Sequence, residues 1–562
     1  YRMLEDFDTR DALGFSPIQK RLEQVEEVSN VSQMKSLLEN MFPLGYSSLA
    51  QLGVEADTAD SNVNAVYIYA PSIGLSKQYY EGEDAFSQEV RKGYLQYMAD
   101  CFTLAGDTED EARERARQVM AFEKELASAL LSKEEEADME KQYHVMRLEE
   151  VEAMSPNLPL GDMIRDAGLL EASKIVVSQP EALQKANALF TEENLSAMKN
   201  QLRFFIISEN SGALNKKLIE AGARYDAVMT GVYSVSEDAD IAFGGVSSYF
   251  GELLGKLFVE KSFSPKAKAD AEEMVSEIIA EYKERLGSLD WMSQETKEHA
   301  IKKLEKMHVK VGYPDAWLDY SDVAVTDYAQ GGDLVQFKEA WSQRSYGEMA
   351  ERLKAPVDKS TWGMDPQEVN AYYDAQNNEI VFPAGILQSP YYDVSFSREE
   401  NLGGIGAVMG HEISHALDDS GAQFDENGNY TNWWRAEDYE KFQAKVQQAA
   451  DIYSAIEVLP GYHINGEICT GEILADLGGM TIVMEIARKE NLDTKKIFEA
   501  YARSYREKMT DEMLISSLTD EHPPAKYRTN NIVNLLDEFY QDYEVQEGDP
   551  MYVKPENRLK VW

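Results

Sequence analysis

The sequence predicts a mainly α-helical protein with a minor β component, an α+β fold. Long charged stretches with helical periodicity, such as residues 109–141 and 266–306, indicate helices. Shorter β-prone runs at residues 369–373 and 379–382, joined by five turn-forming residues, indicate a hairpin. The chain has 562 residues, of which 43% are hydrophobic. It can therefore bury one large core or two ordinary cores.

Composition excludes several classes of protein. The net charge of −45 disfavours nucleic acid as a partner, because phosphate binding requires a basic surface. No apolar run reaches eighteen residues, so we predict no membrane span within this chain. Cys101 and Cys469 are the only cysteines, and no disulfide framework is expected.

One helix is predicted with a defined beginning and end. Ser397 and Glu400 have the spacing of a capping box, and apolar residues then recur at helical spacing as far as Leu417. Four glycines weaken this helix and predict close approach of a neighbouring backbone; they are Gly403, Gly404, Gly406 and Gly410. This helix is predicted to end at residues 418–421.

This helix carries the most informative motif of the chain. His411 and His415 are four residues apart, so their side chains lie one turn apart on nearly the same face. Two imidazoles placed in this way can bind one metal ion, with Glu412 directed toward the open coordination position as a general base. Two purely structural histidines would be a poor explanation for a polar pair on such an apolar helix.

A third protein ligand is normally required for catalytic zinc. Glu472 and Asp476 are also four residues apart, on another apolar stretch, and would share one face of a helix. Glu472 is a candidate ligand, and Asp476 could accept a hydrogen bond from a ligand histidine. Spacing alone leaves open an ordinary acidic pair that is favoured by the helix dipole.

These residues together resemble the neprilysin-type zinc endopeptidases, a family that includes bacterial oligopeptidases. The resemblance is close from about residue 251 to the end of the chain and looser before it. It rests on the following segments: Val408-Met409-Gly410-His411-Glu412-x-x-His415, Gly471-Glu472-x-x-Ala475-Asp476, Asn370-Ala371-Tyr372-Tyr373, and His522-Pro523-Pro524 with Arg528.

The resemblance implies a domain organisation. Residues 1–240 would form a large helical cap domain, from which the family's N-terminal segment is expected to be missing. Residues 241–562 would form a thermolysin-like zincin catalytic domain, with residues 317–369 linking back to the cap. The two domains would enclose a chamber that admits peptides and excludes folded proteins.

The resemblance also implies roles for individual residues. His411, His415 and Glu472 would bind one Zn²⁺ per chain, and Glu412, Asp476 and His522 would be catalytic. Asn370, Ala371 and Arg528 would hold the substrate, and Ile386, Tyr391 and Val408 would line the pocket for the side chain just after the scissile bond. Without the resemblance, Asn370 and Ala371 could equally belong to a structural hairpin. The three pocket residues would be interpreted as ordinary core residues, and His522 as a structural histidine.

The function expected from all this is a zinc-dependent endopeptidase that cuts oligopeptides before large hydrophobic residues. An aminopeptidase of the same metal class is an alternative, but no Gly-x-Met-Glu-Asn-type motif occurs. A catalytically silent or moonlighting peptide-binding, adhesive surface protein on the same scaffold is another. We expect a monomer. For localisation, the acidity of the chain and the usual localisation of the family favour the bacterial cell surface or secretion. The cytoplasm is the alternative.

Overall fold

The computed structural model describes residues 1–562. It is 58% helical with 8% strand, which confirms the predicted mainly α fold with minor β. None of its helices combines the length and the apolar character needed to cross a bilayer.

The α-helices are distributed along the whole chain. In chain order they are α1 Arg2–Glu5, α2 Phe7–Leu13, α3 Ser16–Glu26, α4 Val31–Met41, α5 Lys77–Glu81, α6 Ala85–Leu104, α7 Glu109–Ala127, α8 Lys133–Glu136, α9 Met139–Gln142, α10 Leu148–Met154, α11 Leu160–Asp166, α12 Pro180–Leu189, α13 Leu195–Glu209, α14 Lys216–Thr230, α15 Asp238–Ser262, α16 Pro265–Ser288, α17 Gln294–Glu305, α18 Leu334–Lys354, α19 Arg398–Asn401, α20 Ala407–His415, α21 Ala436–Ser454, α22 Thr470–Glu490, α23 Thr494–Ser504, α24 Asp511–Ser517, α25 Ala525–Val533 and α26 Asp537–Asp542. A π-helical segment, Leu402–Gly406, joins α19 to α20.

The strands form three small sheets. They are β1 Gln51–Asp57, β2 Asp60–Tyr69, β3 His144–Met146, β4 Ile175–Val177, β5 His308–Gly312, β6 Tyr372–Asp374, β7 Glu379–Pro383, β8 Glu457–Leu459 and β9 Tyr462–His463. The first sheet has the order β1-β2-β4-β3, the second β5-β7-β6, and the third pairs β8 with β9. In the second sheet, β7 is parallel to β5 and antiparallel to β6.

The chain divides into two compact units. Unit 1 comprises residues 1–57, 62–249 and 320–357. In this unit, α6 packs against α7 and α14, and α13 packs against α7 and α3. The predicted helical stretch 109–141 forms three helices, because Ser132 and Asp138 each cap a new helix with their side chains.

Unit 2 comprises residues 58–61, 250–319 and 358–562. Its core contains α20 and α22, which pack along each other, with α16 and α21 packed against α22. Trp562 is buried in this core, where its ring lies 5.7 Å from that of Phe442. The assignment of a cap domain and a catalytic domain, with their boundary at residue 240, stays a prediction.

The helix that carries the histidine pair begins as predicted and has one irregular turn. Ser397 and Glu400 form a capping box. The π-helical turn follows, where a Cβ on Gly403 would lie 2.2 Å from the backbone oxygen of Ile497 and one on Gly404 would lie 2.2 Å from that of Tyr391. The predicted close approach of neighbouring backbone is therefore present, because only glycine fits these contacts.

The predicted hairpin is confirmed, with a shorter first strand. β6 begins at Tyr372, not at residue 369, and pairs with β7 in the register Tyr372 to Val381. The side chain of Asn370 accepts a hydrogen bond from the backbone nitrogen of Ala371. This local bond lies just before the first residue of β6, and side-chain-to-backbone bonds of this kind compete with strand pairing.

Candidate metal centre

Three metal-ligating side chains converge between α20 and α22. The Nε2 atoms of His411 and His415 lie 2.9 Å apart. The two carboxylate oxygens of Glu472 lie 3.4 Å from Nε2 of His411 and 3.3 Å from Nε2 of His415. His411 and Glu472 are buried, and His415 is half-buried. Residues that are distant in sequence thus present their donor atoms to one point.

Each histidine is held by a carboxylate through its other ring nitrogen. Nδ1 of His411 lies 2.8 Å from Asp476, and Nδ1 of His415 lies 2.5 Å from Asp418. An ionised carboxylate only accepts hydrogen bonds, so Nδ1 donates in both pairs. Each Nε2 atom of a neutral imidazole then directs its lone pair toward the common point.

This arrangement fits a zinc ion. In the tautomers set by the two aspartates, the Nε2 atoms, 2.9 Å apart, present their lone pairs to one point that a zinc ion would occupy. A tetrahedral site with metal–ligand bonds of about 2.0–2.2 Å separates its ligand atoms by about 3.3–3.5 Å, close to both contacts of Glu472. One buried oxygen of this carboxylate, Oε2, makes no hydrogen bond, although Nη2 of Arg528 lies 2.9 Å away in an ion pair.

The packing of two glycines brings α20 and α22 close enough for these contacts. A Cβ on Gly479 would lie 2.7 Å from the backbone nitrogen of His411, and a Cβ on Gly410 would lie 2.7 Å from Cα of Gly479. The helices therefore cross backbone to backbone at this point. Ligands on both helices can reach one ion with short side chains.

Asp418 is a site residue that sequence patterns placed only at the end of a helix. Its Oδ2 atom contacts His415, while its Oδ1 atom accepts hydrogen bonds from the backbone nitrogens of Ser420 and Gly421. The turn after α20 therefore fixes the carboxylate that orients the imidazole. The spacing of three residues from His415 was the available signal, because side chains at that spacing are neighbours on a helix.

Arg528 of α25 binds the carboxylates behind the centre. Its Nε and Nη2 atoms donate to the two oxygens of Asp476, each at 2.8 Å. Its guanidinium carbon lies 5.0 Å from the ring centre of Tyr505, whose hydroxyl donates to Asp476. Burial alone would raise the pKa of Asp476, but the charge of Arg528 and its hydrogen bonds hold this pKa below its usual value.

Glu412 and His522 flank the three convergent side chains. Glu412 is buried, and burial raises the pKa of its carboxyl group despite the histidines on either side. The side chain of His522 is 48% exposed, with Nε2 3.4 Å from Glu472 and Nδ1 2.7 Å from Asp520. His522 is therefore accessible from solvent, whereas Glu412 is not.

The residues expected to bind substrate lie in varied surroundings. Asn370 is exposed and Ala371 is buried, just before the edge strand β6. Ile386 belongs to the core of unit 2, while Tyr391 and Val408 are partly buried and pack against it. Their contact with a substrate stays a prediction.

Comparison with known proteins gives consistent results along the chain. Two family models, both described as peptidase family M13, match residues 1–314 and 370–559. The neutral endopeptidase of Lactococcus lactis subsp. lactis (strain IL1403) is 33% identical over 572 residues, which cover 100% of this chain and 89% of that protein.

Solved structures agree with the family models. The crystal structure of PEPO from Lactobacillus rhamnosis HN001 (DR20) is 29% identical, with a TM-score of 0.94 over 100% of this chain and 89% of that chain. The Mycobacterium tuberculosis zinc metalloprotease ZMP1, in complex with an inhibitor, is 28% identical, with a TM-score of 0.92 over 100% of this chain and 87% of that chain. Zinc is the cofactor that these relatives imply. The chain belongs to peptidase family M13 and is a neprilysin-like bacterial metalloendopeptidase.

Proposed function

We propose that this metalloendopeptidase hydrolyses oligopeptides with one Zn²⁺ per chain, held by His411, His415 and Glu472. The observation that carries the proposal is the convergence of ligand atoms from two imidazoles and one buried carboxylate within 4.8 Å of one another. Each imidazole is oriented by an aspartate, so the donor set is preorganised for a cation.

In the proposed reaction, Glu412 takes a proton from the attacking water and passes it to the leaving amine. Zinc, when bound, would polarise the scissile carbonyl and lower the pKa of a water molecule toward about 7. The burial of Glu412 supports its role, because a raised pKa brings a carboxylate closer to the value that suits a general base near neutral pH.

Other side chains would position the peptide. His522 would donate a hydrogen bond to the carbonyl oxygen as negative charge develops on it, which its exposed imidazole beside Glu472 permits. Arg528 would donate to a substrate carbonyl from its place beside Asp476. The exposed Asn370, with Ala371, would hold the substrate backbone along the edge strand β6.

We further propose a preference for large hydrophobic residues just after the scissile bond. Ile386, Tyr391 and Val408 would line the pocket for this side chain. Tyr391 and Val408 are only partly buried in the protein, so they retain apolar surface that a substrate side chain can cover. Burial of such a side chain contributes about 1.5–3 kcal/mol.

The substitution Glu412→Gln tests the assignment of the general base. It keeps the size of the side chain but cannot accept the proton, so turnover of a quenched peptide library should fall by about 10²–10⁴-fold. Zinc content, measured on the purified protein, should stay at one ion per chain. Chelation of the wild type should abolish cleavage, and added zinc should restore it.

Glu440→Gln provides the control, because it removes an exposed carboxylate from α21 in the same unit. This variant should cleave the library like the wild type. If Glu412→Gln retained wild-type turnover, or if the zinc-loaded wild type cleaved no peptide, the proposal would be wrong. The pattern of cleavage sites in the library tests the preference for large hydrophobic residues separately.

A further inference from the structure

The helices that carry the proposed ligands pack along each other and approach backbone to backbone near the middle of α22. This approach is the contact of Gly410 with Gly479. Thr470, the first residue of α22, lies nine residues before Gly479, which is about 13 Å along the helix axis. Glu472 lies near this far end. At this distance from the glycine contact, the start of α22 and Glu472 are positioned by other contacts.

Two consecutive aspartates provide such contacts. Asp418 contacts Nδ1 of His415 at the end of α20. Asp419, the next residue, accepts a hydrogen bond through Oδ2 from the hydroxyl of Thr470 at the start of α22. A single peptide unit therefore links the carboxylate that orients one proposed ligand to the carboxylate that holds the helix of another.

The first turn of α22 is built to receive these carboxylates. The first backbone N–H groups of an α-helix have no partner within the helix, and its positive dipole end favours negative charge. In α22 the N-cap residue makes no side-chain hydrogen bond to these groups. A Cβ on Gly471 would lie 3.1 Å from Oδ2 of Asp418 and 3.2 Å from Oδ1 of Asp419. A side chain at this position would push both carboxylates away by a few tenths of an ångström.

The contact is also shielded from water. Thr470 is 3% exposed, and Oδ1 of Asp419 is buried without a hydrogen bond. A charge-assisted bond between a hydroxyl and a carboxylate is stronger in such surroundings than on the surface.

We infer that Asp419 and Thr470 are positioning residues that set the separation of His415 and Glu472, and that this aspartate–threonine contact determines the affinity for the metal. The inference rests on the proposed ligand set. Neither residue belongs to the proposed ligand set. Both act through the orientation of α22.

The test compares three substitutions on α22 by zinc affinity, measured in competition with a chromophoric chelator. Thr470→Val keeps the shape but removes the hydroxyl, and we expect zinc to bind about tenfold more weakly. Thr470→Ser restores the hydroxyl and should bind within about twofold of the wild type. Thr481→Val removes a hydroxyl that bonds only to Leu477 of the same helix, and it should bind zinc like the wild type.

Two readouts separate positioning from general stability. The visible absorption bands of the Co²⁺-substituted protein report the geometry of the ligands, and they should shift in Thr470→Val but not in Thr481→Val. Thermal unfolding of the metal-free protein should begin earlier in Thr470→Val than in Thr481→Val, because the buried Asp419 loses its hydrogen bond, but both variants should be fully folded at the temperature of the zinc and cobalt measurements. Asp419→Ala should reproduce the loss of zinc affinity, and the double variant Asp419→Ala/Thr470→Val should lose little more, because both remove the contact between these two side chains. Asp419→Ala keeps the other bond of the Thr470 hydroxyl, to the backbone oxygen of Glu467 at 3.2 Å, so a loss of affinity in this variant is due to the aspartate contact.

The inference would be overturned if Thr470→Val had the zinc affinity and the cobalt spectrum of the wild type. It would also be overturned if Thr481→Val lost as much zinc affinity as Thr470→Val, or if Thr470→Ser did not recover the affinity. Failure of the proposed function is distinguishable, because the wild type itself would then bind no zinc with a 1:1 ratio. If the wild type binds zinc and the three variants do not differ, only the inference fails.

Discussion

Two buried glutamates, one in each unit, show how differently the same side chain can be used. Glu123 lies on α7 in unit 1, and Glu472 lies on α22 in unit 2; they are 2% and 6% exposed. Burial disfavours the charged form of any carboxylate. What differs is the set of groups that surrounds each one.

Glu123 is surrounded by neutral donors. Its Oε2 atom accepts hydrogen bonds from the hydroxyls of Tyr80 at 2.7 Å and Tyr94 at 3.1 Å. Burial raises its pKa to about 7, even though these hydroxyls lower it in part. Its hydrogen bonds join α7 to Tyr80 of α5 and Tyr94 of α6, so its contribution is to the packing of these three helices.

Glu472 is surrounded by groups that favour negative charge. Burial alone would raise its pKa, but the two histidines and Arg528 lower it well below its usual range. The carboxylate therefore stays ionised and keeps one oxygen without a hydrogen bond. A buried carboxylate thus indicates a metal site only where cationic or metal-ligating groups converge on it.

The largest effect should come from removing the carboxylate of Glu472 in unit 2. Glu472→Gln replaces the proposed anionic ligand with a neutral amide. Loss of a hydrogen bond to a metal ligand costs up to about 100-fold in metal affinity, and loss of the ligand itself should lower zinc affinity by more than this. Metal analysis after dialysis against a weak chelator would measure this. Glu485→Gln on the same helix, which breaks an ion pair with Arg285, should retain zinc; equal loss in both would mean that Glu472 is not a ligand.

The two units also differ in what surrounds their helical glycines. Gly479→Ala in unit 2 would place Cβ 2.7 Å from the backbone nitrogen of His411, and backbone atoms cannot rotate away, so the free energy of unfolding should fall by about 3 kcal/mol. Gly222→Ala in α14 of unit 1 meets nothing within 4 Å and should raise it by up to about 1 kcal/mol. Denaturant unfolding of the full chain would check both signs; a stabilised Gly479→Ala would contradict the tight crossing.

Local spacing was enough to predict part of this arrangement. The capping box of Ser397 and Glu400 and the pairing of His411 with His415 depend on residues within one or two turns, where helical geometry is regular. The hairpin of β6 and β7 was predictable for the same reason. Its start was misplaced because the side chain of Asn370 bonds to its own neighbour, which β-propensity does not report.

Contacts between distant residues could not be predicted from spacing. The spacing of Glu472 and Asp476 left an ordinary acidic pair open, because only the folded chain brings them to the histidines. Gly410 was expected to contact a neighbouring backbone, but its partner, Gly479, is fixed by the packing of α20 on α22. Asp418 was missed even though its spacing from His415 was visible, since a helix end explained it equally well.

The smallest effect is the dependence of the free energy of unfolding on pH that Glu123 in unit 1 should cause. The pKa of Glu123 in the folded chain is about 7, above its value of about 4.3 in an unfolded chain. The stabilisation linked to its proton is therefore fully present below about pH 4.3 and is lost as pH rises through about 7. Between pH 6 and pH 8 this group should remove about 1–1.5 kcal/mol from the free energy of unfolding.

Glu123→Gln cannot titrate, so its free energy of unfolding should not contain this loss. Measured by denaturant unfolding, the difference in stability between the variant and the wild type should therefore shift in favour of the variant by about 1–1.5 kcal/mol from pH 6 to pH 8. Glu125→Gln, which alters an exposed glutamate of α7 paired with Lys185, should show no such gain. If Glu123→Gln followed the wild type at both pH values, Glu123 would be ionised in the folded chain, and the contrast with Glu472 would not hold.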